Sequence, residues 1–382
     1  MDEITITYRK EFDAEPKERK HIILMDGTWN DETGKGADML VTNIVRLSQI
    51  LQDDDENQIV RYHRGVGNDN ENGFFKTWWK GATGKAVHEI VDNAYARFVQ
   101  DWQKGDRIYI FGFSRGAAGA RLLASKIAKE QVPTEVKITI VPKQNKESKV
   151  VEQRIKKVDF DTSRREPVEI EFLGVWDTVS AFGFANNIRR FFNLAKKDLF
   201  SDNHIAPNIQ KAVHLVAIDE TRNIFVPSLM NHKEDVTHEV WFPGVHSDIG
   251  GSYAEDDLAR ASLFYMLKCM EEWNNRRDLK EFLIDNQART EYAKEKIEKA
   301  HFHFHGKALG KDLRPIRVQV NGQASERSPS IHRLYYDIVT RKNSYSVFKK
   351  KTDLDKSAKK IVKFQYMPFN VKVLRRNYEI VD

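Results

Sequence analysis

Two spacings of apolar residues alternate along the chain. Unbroken runs of aliphatic, β-branched and aromatic residues, each closed by a turn residue, predict strands. They occur at "HIILMDG" (21–27), "QIVRYHRGVG" (58–67), "RIYIFGFS" (107–114), "EIEFLGVWDTV" (169–179), "AVHLVAIDET" (212–221) and "HEVWFPGVHSDIGG" (238–251), the last running into a glycine-rich loop. Between them, apolar residues recur at helical spacing in "NIVRLSQILQ" (43–52), "TGKAVHEIVDNAYARFVQDW" (83–102), "RGAAGARLLASKIAK" (115–129) and "DLARASLFYMLKCMEEW" (257–273). Strand and helix in turn predict an α/β fold, with a mostly parallel central sheet covered by helices on both faces.

Three segments break the rhythm. Residues 135–167 are rich in Lys and Glu and read as an inserted β-hairpin or lid. Residues 181–207 contain "FGFANNIRRFFNLAKKDLF", amphipathic with a basic face, a second lid candidate. Residues 301–382 form a mixed C-terminal extension. With no repeat and no clean linker, the expected organisation is one catalytic domain over 1–300, with an extension over 301–382 packed on or beside it.

Charge sharpens this division. The 382 residues carry a net +6, but residues 301–382 hold 11 Lys and 7 Arg against 7 acidic residues, a local +11 that leaves about −5 for the rest. Such a tail attracts phosphates, of lipid headgroups or of nucleic acid, although a solvated basic surface is the plainer reading. No nucleic-acid recognition motif accompanies it, so no nucleic-acid partner is expected. No run of 18 apolar residues occurs and the N-terminus lacks the apolar core of a secretory signal, so synthesis in the cytoplasm is expected, with export by a specialised system left open. The single cysteine, Cys269, falls within a predicted helix and has no partner for an internal disulfide.

The candidate chemistry begins at "GFSRG" (112–116), where G-x-S-x-G stands between a strand and a helix. That context is the one a nucleophile elbow requires: flanking glycines permit a tight turn, and the serine hydroxyl is exposed at the strand's C-terminal end. Ser114 is therefore the candidate nucleophile. A serine needs a base, and the base needs an acid, in the chain order Ser, Asp, His on this scaffold. Asp177 at the tip of "FLGVWDTV" and His246 in "WFPGVHSDIGG" supply that order. Asp219, after the following strand, is the alternative acid. His63 precedes the serine and breaks the order. His214 lies inside a strand, where a satisfied core histidine is expected. Asp248 is too close in sequence to His246 for the two side chains to face each other. The oxyanion donors are expected to be the backbone N–H of Arg115, at the start of the helix, and that of Gly27 or Thr28 after the first long strand.

These residues resemble a known family. The blocks "MDGTWN" (25–30), "TNI" (42–44), "RGVG" (64–67), "GATGKAV" (81–87), "KGDRIYIFGFSRGA" (104–117), "FLGVWDTV" (172–179), "HLVAIDE" (214–220), "WFPGVHSDIGGSY" (241–253) and "DLARASLFYML" (257–267) are similar, in order, to the α/β-hydrolase domain of type VI secretion phospholipase effectors and their relatives. The resemblance covers about residues 20–270. It implies an α/β-hydrolase fold, a lipid or phospholipid substrate, and a Ser-Asp-His esterase whose triad falls on Ser114, Asp177 and His246. Ser252 stands where the family usually has a third glycine.

Other motifs carry less. "GATGKA" lacks the first glycine and the terminal hydroxyl of a phosphate-binding loop, with Trp79 and Ala86 in those places. "HFHFHG" puts His301, His303 and His305 on one face of a strand, without a clear carboxylate or cysteine partner, and no metal site is expected. "FFKTWWKG" (74–81) reads as core packing or as a lipid-facing patch. The expected activity is thus a serine esterase of lipid acyl esters needing no cofactor. An esterase of small soluble esters, or an inactive binding protein on the same fold, are the alternatives.

Overall fold

The computed structural model describes residues 4–10, 12–13, 15–27, 41–65, 84–144, 151–179, 205–222, 225–305, 313–340, 346–352, 362–363 and 378–382. The expected lid at 181–207 lies outside the described residues except for 205–207, and the aromatic stretch 74–81 lies outside them altogether.

An eight-stranded sheet organises the chain. It comprises β2 (Lys20–Met25), β3 (Gln58–His63), β4 (Arg107–Phe113), β7 (Ile170–Trp176), β8 (Ala212–Ala217), β9 (Thr237–Phe242), β13 (Ser330–His332) and β16 (Glu379–Val381). Their order across the sheet is β16-β13-β9-β8-β7-β4-β2-β3. Every described pairing within it is parallel. Parallel strands are covered on both faces, so their sequences read as continuous apolar runs: all residues of β2, β7 and β8 are buried.

Alternate side chains serve opposite faces. Ile23, Ile108, Ile110, Leu173 and Val175 pack with Val91, Tyr95 and Phe98 of α2 (Gly84–Asp101) and Leu123 and Ile127 of α3 (Arg115–Glu130). Ile22, Leu24, Tyr109, Phe111 and Trp176 pack on the other face against Ile44 and Leu47 of α1 (Asn43–Ile50) and Leu263, Met266 and Met270 of α5 (Asp257–Arg276). Between β9 and α5 lies α4, a short helix at His246–Gly250, where the sequence suggested only a loop. This is the α/β-hydrolase fold.

The segments outside the rhythm add strands. The insertion forms an antiparallel hairpin of β5 (Val132–Gln144) and β6 (Val151–Glu166), and β1 (Ile4–Arg9) pairs with β5 to complete a three-stranded sheet. Phe160 of the hairpin meets Tyr95 of α2 edge-on at 5.3 Å.

The C-terminal region is not an appendage. β13 and β16 extend the central sheet itself beyond β9. Ile331, Leu334, Tyr335 and Ile338, the last three on α7 (Arg333–Thr340), share a third core with Trp241, Leu258 and Phe302. Among the described residues the remaining elements are α6 (Asn286–Tyr292), a ribbon of β11 (Gln319–Val320) and β12 (Gln323–Ala324), and a sheet of β10 (Lys299–His305), β14 (Ser346–Thr352) and β15 (Val362–Lys363). Among the described residues no helix is long and apolar enough to cross a membrane.

Candidate active site

Three side chains converge at the C-terminal ends of β4, β7 and β9, where ligand sites gather in open parallel sheets. Ser114 occupies the turn between β4 and α3 with φ 60° and ψ −121°. A non-glycine residue there is strained by about 1–3 kcal/mol, and surrounding contacts must hold it. The backbone does so: Ser114 N–H donates to Trp176 O at 3.0 Å, and Ser114 O accepts from Val179 N at 3.2 Å. The flanking glycines are steric requirements. A Cβ on Gly116 would lie 2.2 Å from Met25 O, and one on Gly112 would lie 2.6 Å from Gly116 O.

Asp177 follows β7 directly, and its backbone N–H donates to Leu215 O at 2.7 Å. Its carboxylate is fully buried. Oδ1 accepts from Ala217 N at 2.9 Å and from Arg314 Nη1 at 2.6 Å; Oδ2 accepts from Arg314 Nη2 at 2.9 Å and lies 2.6 Å from His246 Nδ1. Burial alone would raise its pKa. Arg314 and His246 outweigh that and hold the carboxyl well below the usual carboxylate range.

His246 opens α4. Its ring packs against Phe113 and Phe225, each with its centroid 4.6 Å away. Nε2 is 2.8 Å from Ser114 Oγ. An ionised carboxylate only accepts, so Nδ1 carries the hydrogen toward Asp177 and Nε2 is left to accept the hydroxyl of Ser114. Burial lowers the imidazole's pKa, against the upward pull of Asp177. The resting arrangement is a neutral imidazole beside a hydroxyl.

The structure therefore brings Ser114, His246 and Asp177 into one hydrogen-bonded chain. Asp219, the alternative acid, is not part of it: its Oδ2 accepts from Gly244 N at 2.6 Å and staples the loop before α4. Arg115 stands at the first position of α3, where N–H groups have no acceptor within the helix. Gly27 departs from expectation, since its N–H donates to Asp26 Oδ1 at 2.6 Å and that carboxylate, also bonded by Thr42 and Tyr62, occupies it in this arrangement. Thr28 lies outside the described residues.

Three other histidines have partners of their own. His214 accepts from Thr178 N at 3.1 Å and meets Glu239 at 2.8 Å, so it braces the residue after Asp177. His303 pairs with Asp248 and His301 with Asp257. The side chain of His305 is not described. Among the described residues no group of three or more metal-ligating side chains is assembled.

The profile of the family described as "T6SS, Phospholipase effector Tle1-like, catalytic domain" matches residues 19–269. The chain belongs to this family. An uncharacterised protein of Saccharomyces cerevisiae is 25% identical to this chain over 212 residues, which is 48% of this chain and 29% of the yeast protein. The chain thus spans less than a third of that relative's length. A solved structure of an uncharacterised protein from Pseudomonas aeruginosa is similar over 73% of this chain and 49% of its own, at 19% identity and a TM-score of 0.45. The Tle1 effector, solved bound to the VgrG spike of the type 6 secretion system, is similar over 63% of this chain and 52% of its own, at 19% identity and a TM-score of 0.36.

The sequence reading missed Arg314. It lies beyond the Tle1-like match, in "KDLRPIR", and belongs to no motif. Counted only as one charge of a basic tail, it is 5% exposed at its side chain and held against Asp177.

Proposed function

We propose that this protein is a serine esterase that hydrolyses acyl esters of lipids, phospholipids among them. The observation that carries the proposal is His246, bridging Ser114 Oγ at 2.8 Å and Asp177 Oδ2 at 2.6 Å at an elbow whose serine is held at φ 60°. In this reading Ser114 Oγ attacks the ester carbonyl carbon while its proton passes to His246 Nε2. Asp177 keeps the ring in the tautomer that can receive it and stabilises the imidazolium. The backbone N–H of Arg115, supported by the positive end of α3, stabilises the oxyanion. The intermediate collapses with His246 returning the proton to the leaving alcohol. Water, activated by the same imidazole, then releases the fatty acid and restores the serine. Protein groups and water supply every step.

The lipid part of the proposal draws on membership of the phospholipase family and on the basic C-terminal region, whose local +11 suits an anionic headgroup surface. The test is mass spectrometry of mixed phospholipid vesicles incubated with wild type and Ser114→Ala, with a short-chain soluble ester in parallel. Wild type is expected to release fatty acid and lysolipid from the vesicles, and Ser114→Ala is not. Turnover of the soluble ester alone rejects the lipid assignment. Equal activity in the variant rejects the nucleophile.

A further inference from the structure

The basic tail is the part of the chain expected to face outward, yet one of its arginines is committed to the interior. Arg314, on the segment between β10 and β11, bonds both oxygens of the carboxylate that faces His246. Both of its terminal nitrogens are used twice. Nη1 donates to Asp177 Oδ1 at 2.6 Å and Ala217 O at 2.9 Å; Nη2 donates to Asp177 Oδ2 at 2.9 Å and also to Phe225 O.

We propose that Arg314 is a positioning residue of the active site: its planar fork fixes the plane of the Asp177 carboxylate and moderates its charge, so that His246 is aimed at Ser114 as a neutral base. The inference rests on the esterase reading given above.

The geometry supports it in three ways. A carboxylate held by one backbone amide and one imidazole can swivel about its Cβ–Cγ bond. A guanidinium bonded to both oxygens removes that freedom, which a lysine's point charge cannot do. Arg314 also ties the end of β8, at Ala217, to the loop that carries Phe225, and the Phe225 ring packs on His246 at 4.6 Å. One side chain thus steadies both the acid and a wall of the base's slot. Finally, a buried, uncompensated aspartate would draw a proton onto its histidine, and an imidazolium cannot accept the serine's proton.

Two other carboxylates near His246 have partners of their own. Glu220, which accepts the His246 N–H at 3.3 Å, pairs with Arg222 at 2.7 Å, and Asp248 on the same helix pairs with His303. Asp177 is the carboxylate in contact with Nδ1, and Arg314 is the cation in contact with both oxygens of Asp177. Stability offers a weaker rationale, because buried ion pairs gain little over apolar packing of the same volume.

The experiment compares wild type, Arg314→Lys and Arg314→Met, each checked for folding by circular dichroism. Two readouts are followed against pH: the rate at which a fluorophosphonate labels Ser114, and the titration of the His246 ring by NMR, assigned with His246→Gln. In Arg314→Met the labelling rate at neutral pH is expected to fall by about 10- to 100-fold, and the His246 titration and the acid limb to move up by about one pH unit. Arg314→Lys is expected to return the titration to near the wild-type value while recovering only part of the rate. A folded Arg314→Met that titrates and labels like wild type overturns the proposal, as does an Arg314→Lys with the full wild-type rate. If Arg314→Met does not fold, the rate of Arg314→Lys decides. Failure of wild type to label at Ser114 rejects the esterase reading instead, and the NMR arm then judges Arg314 on its own.

Discussion

His303 Nδ1 lies 2.5 Å from Asp248 Oδ1, and both side chains are almost fully buried. The second oxygen of Asp248 accepts from Val245 N at 2.9 Å and from His303 N at 3.2 Å. Tyr253 stacks on the His303 ring at 3.8 Å. A strand of the C-terminal region, β10, is thereby fastened to the short helix that begins with His246. Burial pushes the Asp248 pKa up, and His303 works against that push.

Removing the histidine leaves a buried carboxylate without its partner ring. His303→Ala is expected to lower unfolding free energy by about 3–5 kcal/mol, the usual consequence of breaking a buried pair from one side. Urea unfolding measures it. A midpoint equal to wild type would mean that β10 does not brace α4.

The two candidate acids are separable by substitution. Asp177→Asn keeps the shape but reverses the demand on Nδ1, turning His246 to the wrong tautomer, and kcat is expected to drop on the order of 10⁴-fold. Asp219→Asn retains an oxygen for Gly244 N and is expected to stay within about threefold of wild type, since its bond only shapes a loop. Steady-state ester hydrolysis by both variants checks the pair. A severe loss in Asp219→Asn with a mild one in Asp177→Asn would reverse the assignment.

Burial sets the direction of the pH dependence. In the proposed esterase His246 acts in its neutral form, and its pKa is lowered by burial, so kcat/KM is expected to rise with pH and to be half-maximal below about 6.5. Stability should follow the same sense. Burial depresses His63 to about 4, His238 to about 4 and His332 to about 3. Between those values and about 6.5 the unfolded chain binds protons that the folded chain refuses, so stability falls as pH falls through that window. Asp177, depressed below the ordinary carboxylate range, keeps its contribution until more acidic pH. Thermal melts at pH 7 and pH 5 should differ by about 5 °C or more, with the lower Tm at pH 5. Equal melting temperatures would contradict the neutral state of these half-buried rings.

Much of the central sheet is readable in one dimension. The helices expected at 83–102, 115–129 and 257–273 are found at Gly84–Asp101, Arg115–Glu130 and Asp257–Arg276, and the six expected strands all form. Their residues are committed locally: a run such as "HIILM" is apolar on both sides, and only a strand covered on both faces buries all of it. The elements that were not foreseen are different in kind. β13 and β16 are three residues each, and β1 alternates isoleucine and threonine in a charged N-terminus. Such segments become strands because an edge is offered to them. β13 finds β9 some ninety residues earlier, and β1 finds β5 about 130 residues later.

The same division runs through the site. The elbow is legible because its strain is local: a serine at positive φ, a strand behind it and a helix ahead demand glycine at 112 and 116 within five residues. Which carboxylate faces His246 is not local. Asp177 and Asp219 both stand at the ends of neighbouring parallel strands, and only the packed sheet turns one toward the imidazole and the other toward Gly244. Nor could the sequence distinguish Arg314 from the other cations of its tail, because burial and partnership belong to the folded chain and leave no spacing behind. Periodicity along the chain decided the layers. The convergence of β4, β7, β9 and a late arginine on one buried carboxylate was decided by the tertiary fold, where residues 137 positions apart come within hydrogen-bond reach.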